Sequence, residues 1–172
     1  VTSFEGIDNL PGTQAQIVIS EPPRVRKEFL PPVIAPDAVA TLRITLGNDN
    51  DSAATLDGDL VDTLPVSPGA MVIAATPALT VDAACPALSV VASAGAAAVV
   101  VEDGSVIPPG GCVVEVAVTA SAPGDYLNVI PTGALQTNLG PNDEPTQAPL
   151  KVSTLGYIAG KVFLDNQPVP DG

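Results

Sequence analysis

The sequence predicts an all-β fold, an antiparallel β-sandwich of about eight or nine short strands, and three observations carry that expectation. The chain is 46% apolar, drawn largely from Val, Ala, Leu and Ile, with 3% aromatic residues and no Trp. That is enough to bury a core, and the core side chains are small and branched, as strands favour. The 19 Pro and 15 Gly of the 172 residues fall every few positions and leave no stretch with a helical apolar stripe. Between these breaks lie short runs in which apolar and polar residues alternate.

The elements follow in order. Arg24 to Phe29 stands between Pro22-Pro23 and Pro31-Pro32, as an edge strand entered and left through prolines does. Val39 to Leu46 puts Ala40, Leu42, Ile44 and Leu46 on one face and Thr41, Arg43 and Thr45 on the other, the pattern of a half-buried strand. Gly47-Asn48-Asp49-Asn50-Asp51-Ser52 is turn chemistry, and Thr55 to Leu64 follows with apolar Leu56, Leu60 and Leu64. Met71 to Ala75, Leu79 to Val81, Leu88 to Ala92 and Ala97 to Val101 are short strand candidates. Pro108-Pro109-Gly110-Gly111 marks a turn, after which Cys112, Val114, Val116 and Val118 share one face, so the cysteine points inward. Asp125 to Ile130 comes after Pro123-Gly124, and Gln147 to Val152 closes the series.

The segment Thr13 to Ser20, TQAQIVIS, returns as Thr146 to Ser153, TQAPLKVS, 133 positions on. That interval suits one sandwich domain, and each copy reads as its closing strand. Residues 1–21 are then the last strand of a preceding repeat, 22–153 one complete repeat, and 154–172 a linker with the opening of another module. Alternatively the first copy is a donor strand, and Thr13, Ala15, Ile17 and Ile19 complete the sheet of a like subunit in a filament.

Several blocks carry a family resemblance: Lys27-Glu28-Phe29 with Ile34-Ala35-Pro36, Ala40 to Leu46 (ATLRITL), Asp62-Thr63-Leu64-Pro65, Ile107 to Cys112 (IPPGGC), Pro123 to Pro131 (PGDYLNVIP) and Gly133-Ala134-Leu135. In that order and spacing they resemble the conserved repeat domains of large bacterial surface proteins, the group called domain of unknown function 11 and its relatives. Asp37 departs from the Gly usual there. The resemblance implies an immunoglobulin-like sandwich, exported to the cell surface or secreted, and repeated in tandem with neighbours of its own kind. Gly156 to Asn166 (GYIAGKVFLDN) is similar to the opening of the B-type repeats of Gram-positive surface proteins.

Charge and residue content narrow the function. The formal charge of −13, with 19 acidic and 6 basic residues, argues against nucleic acid as a partner. The longest mainly apolar run, Val90 to Val101, is broken by Ser93 and Gly95 and is too short to cross a bilayer, so no membrane insertion is expected. With no His there is no serine or cysteine triad of the usual form, and the few aromatics suit neither a glycosidase nor a glycan-binding platform. No catalytic residue is assigned, and the chain is not expected to be an enzyme.

Cys85 and Cys112, the only cysteines, read as a disulfide, the alternative being two buried thiols. Tyr126, just after a turn, is expected to bury its ring and return its hydroxyl to nearby backbone, pinning a sandwich corner. Asp49, Asp51, Asp57, Asp59 and Asp62 fall close together and are weak candidates for Ca²⁺, against a solvated turn followed by a strand with an acidic outer face. No other cofactor is expected. An isopeptide crosslink of the kind some surface repeats make needs Lys27, Lys151 or Lys161 buried beside an acid. Lys151, between Leu150 and Val152, alternates outward, and free amines are the expectation. The functional expectation is a structural repeat of an extracellular or cell-surface bacterial protein, with a filament subunit and a weak calcium- or glycan-binding module as alternatives.

Overall fold

The structure is a computed structural model and describes residues 20–154. The first copy of the repeated segment, with Thr13, Ala15, Ile17 and Ile19, lies outside the described residues, as do Lys161 and the segment from Gly156 onward. The first strands are β1 (Arg24–Leu30), β2 (Val33–Ile34), β3 (Val39–Gly47), β4 (Ala54–Thr55) and β5 (Leu60–Thr63). Then come β6 (Met71–Ile73), β7 (Thr80–Val81), β8 (Val90–Val91), β9 (Ala98–Val101) and β10 (Val106–Ile107). The last are β11 (Cys112–Ala120), β12 (Gly124–Ile130) and β13 (Thr146–Val152). Among the described residues there is no helix, so the all-β expectation holds. Thirteen strands stand against the eight or nine expected: eight have three residues or more, and five have two, among them β7 and β8 where Leu79 to Val81 and Leu88 to Ala92 were expected.

One layer is the sheet β1-β3-β11-β6, with β7 also paired to β11. The other is made by two three-stranded sheets, β12-β13-β2 and β5-β9-β8. Inward side chains from all three, among them Phe29, Leu42 and Val116 from the first and Leu60, Val99, Ile130 and Leu150 from the others, form one core. The small pair β10-β4 adds Ile107 and Ala54 to it. The layers are antiparallel within themselves except at one point, where β2 runs parallel to β13 with Val33 opposite Lys151 and Ile34 opposite Val152.

That exception follows from the prolines. Pro31 and Pro32 have no N–H to extend the β1–β3 ladder, so pairing stops at Leu30 opposite Thr41. The chain then passes to the other layer, where Pro32 O accepts the N–H of Lys151 and Ile34 O that of Ser153, both at 2.9 Å. The start of β1 lies beside residues 142–146, which lead into β13, and β2 lies beside the end of β13. The chain therefore enters the domain at one pole and leaves at the other.

The run Thr55 to Leu64, expected as one strand, is interrupted. The Asp57-Gly58-Asp59 segment bends the chain after Leu56, which makes a single bridge to Thr137, and pairing resumes only at Leu60. At the Pro108 to Gly111 turn a side chain is excluded by geometry. Gly111 has φ 89°, and a Cβ there would sit 2.3 Å from Leu46 O. This close approach lets Cys112 enter β11 opposite Leu46.

Candidate functional site

Three buried polar side chains, Lys27, Asp62 and Asn128, come from three strands and meet between the layers. On β1 the alternation buries Val25, Lys27 and Phe29; on β5 and just past it, Leu60, Asp62 and Leu64; on β12, Tyr126, Asn128 and Ile130. Each polar residue is flanked two positions either side by an apolar anchor, so strand geometry carries it inward with them. Lys27 comes from one layer, Asp62 and Asn128 from the other.

Asp62 bridges the other two. Lys27 Nζ donates to Asp62 Oδ1 at 2.9 Å, and Asn128 Nδ2 donates to Asp62 Oδ2 at 3.1 Å. The Lys27 and Asp62 side chains are 0% and 1% exposed. Asn128 Oδ1 is the one buried side-chain nitrogen or oxygen without a hydrogen-bond partner among the described residues. Burial pushes the Lys27 amine below the ordinary lysine value, against the opposing pull of the Asp62 charge. Burial likewise pushes the Asp62 carboxyl up, outweighing the stabilisation from Lys27 and Asn128. Burial thus acts on both groups in the sense of their neutral forms, and their mutual attraction acts against it.

This corrects two expectations. Asp62 is not on an exposed acidic face: the anchors Leu60 and Leu64 turn it into the core. Lys27 is buried beside an acid, although free amines were expected; Val25 and Phe29 fix its phase. Lys151 is exposed, as alternation required. The remaining calcium candidates are scattered. Asp49 pairs with Arg24 at 3.2 Å, Asp59 accepts the Asp103 N–H at 2.8 Å, and Asp51 and Asp57 face solvent. Among the described residues no three His, Cys, Asp or Glu side chains gather closely enough to hold a metal ion.

The other singled-out residues have structural places. Cys85 and Cys112 are bonded at 2.05 Å and are both buried. The bond ties the turn that follows β7 to the first residue of β11. Tyr126 is 1% exposed and donates its hydroxyl to Ala122 O at 2.8 Å, across the turn before β12. Tyr126→Phe is expected to lower the free energy of unfolding by about 0.5–1.5 kcal/mol, the net value of one such bond, read as a lower urea midpoint at unchanged slope. Two asparagines not singled out from the sequence pin loops. Asn48 donates to Ser52 O and Ile107 O, and Asn142 takes the Leu135 N–H while donating to Pro131 O and Glu144 O. The slot a donor strand would fill is occupied by the chain's own β13, paired with β12 along its whole length.

A model of the family described as Domain of unknown function (DUF7933) matches residues 23–152. No curated protein matches the chain.

Proposed function

The chain belongs to the DUF7933 family, and from that premise we propose that it is a non-enzymatic structural repeat of an extracellular or cell-surface bacterial protein, a spacer between neighbouring repeats. The observation that carries the reading is the course of the chain. Because β1 starts beside residues 142–146 and the chain leaves past β2 at the far end of β13, entry and exit lie at opposite poles, so successive units join end to end without a returning linker. The return of the Thr146 to Ser153 pattern at Thr13 to Ser20 supports repetition. The Cys85–Cys112 bond supports an oxidising compartment, and hence export.

Small-angle X-ray scattering tests this on two copies of the 172-residue sequence joined in series. An end-to-end spacer gives a maximum dimension about twice that of one copy, as in other quasi-one-dimensional repeats. A pair folded back into a compact particle, or a single copy that assembles into filaments, would sink the reading.

A further inference from the structure

Lys27, Asp62 and Asn128 place an amine, an acid and a carboxamide in contact in a dry core, which is the reactant set of an amide exchange. We propose that Lys27 and Asn128 join in an intramolecular isopeptide bond, Nζ to Cγ, with Asp62 as the proton relay. This goes beyond the spacer reading and does not rest on it.

The geometry supplies what the step needs. The two oxygens of one carboxyl group hold Nζ of Lys27 at 2.9 Å and the amide of Asn128 at 3.1 Å, so nucleophile and electrophile are brought to one side chain from opposite layers. A nucleophilic amine must be neutral, and burial pushes the Lys27 amine down and the Asp62 carboxyl up, both toward their neutral forms. The protonated acid then needs an acceptor. Asn128 Oδ1 lacks a partner, and half a turn about Cβ–Cγ exchanges it with Nδ2 without changing the outline of the side chain. So turned, Oδ1 accepts the Asp62 proton and Cγ is polarised for attack.

The lone pair of Nζ forms the bond to Cγ while the carbonyl π pair moves to Oδ1, which takes the proton from Asp62. The Asp62 carboxylate removes a proton from Nζ and delivers it to Nδ2. The Cγ–Nδ2 bond breaks with its electron pair on nitrogen, ammonia leaves, and Oδ1 returns its proton to Asp62 as the carbonyl re-forms. Amine plus carboxamide become a secondary amide plus ammonia, with no oxidant, reductant or external group consumed. Exclusion of water from the core removes the competing hydrolysis.

Intact-mass spectrometry of the folded 172-residue chain, disulfide reduced, decides the matter. The expected mass is lower than that of the sequence by one ammonia, about 17 Da, and proteolysis yields one branched species holding the Lys27 and Asn128 peptides. Lys27→Arg and Asn128→Ala are expected at their full sequence masses. A folded wild-type chain that keeps its full mass after prolonged incubation would overturn the proposal, as would ammonia loss without a linked peptide pair. Asp62→Asn, an isostere, is expected to fold and remain unlinked. If it folds by circular dichroism and links to the same extent as wild type, the relay role falls. Asp62→Ala serves the same comparison if Asp62→Asn does not fold.

Discussion

Asp62→Ala is expected to leave the domain less stable by about 3–5 kcal/mol than the double variant Lys27→Met with Asp62→Leu, because the single change strands the Lys27 amine in the core. Lys27 has no exposed side-chain surface. The double variant fills the same space with apolar groups and leaves no amine to desolvate, so it should lie near the stability of an unlinked native pair. The double variant lacks the amine and Asp62→Ala lacks the relay, so both are expected at full sequence mass, and an unlinked pair isolates the cost of the buried amine. Urea unfolding of both, with equal slopes, measures it. A difference below about 1 kcal/mol would mean that the strand frays enough to let Lys27 reach solvent.

Loss of the Cys85–Cys112 bond is expected to lower the free energy of unfolding by about 3.6 kcal/mol, the chain-entropy value for the loop it closes. The two cysteines are 27 positions apart. That loop holds only short strands, β8 and β10 with two residues each and β9 with four. The turn at Cys85 is otherwise held by short-range bonds, Cys85 N–H to Asp82 O and Leu88 N–H to Cys85 O, and by Val106 N–H to Ala87 O. The variant Cys85→Ala with Cys112→Ala avoids two buried thiols, and its urea midpoint against wild type gives the value. A loss under about 1 kcal/mol would show that these backbone bonds hold the loop without the bond between the sulfurs.

The strands were legible wherever alternation was long. Arg24 to Phe29, Val39 to Leu46 and Cys112 to Thr119 declare themselves because six or more residues keep one phase, and the observed strands differ from the expected ones by a residue at the end. Val33–Ile34, Ala54–Thr55 and Val106–Ile107 were not legible. Two residues carry no period, and their pairing depends on where distant strands lie. The site was legible in principle and was misread. Val25-x-Lys27-x-Phe29, Leu60-x-Asp62-x-Leu64 and Tyr126-x-Asn128-x-Ile130 each place a polar residue in phase with two apolar anchors. Counting Asp62 with its acidic neighbours in sequence hid its phase, and weighing Lys151 alone passed over Lys27. What no single strand reveals is that the three phases meet, since Lys27 to Asp62 spans 35 positions and Asp62 to Asn128 spans 66.

The parallel run of β2 along β13 also decides how the domain meets tension. A pull applied at the two poles loads β1 lengthwise against β3 and, through β1, draws β2 and β13 past each other lengthwise, so the bonds Lys151 N–H to Pro32 O and Ser153 N–H to Ile34 O are loaded together in shear. Antiparallel terminal strands pulled from one end would instead unzip one bond at a time. Rupture in shear requires the bonds of a strand to fail within one displacement, which raises the force at which β1 and then β2 leave. The direction of two residues beside a proline pair thus makes the long axis of this sandwich its strong axis.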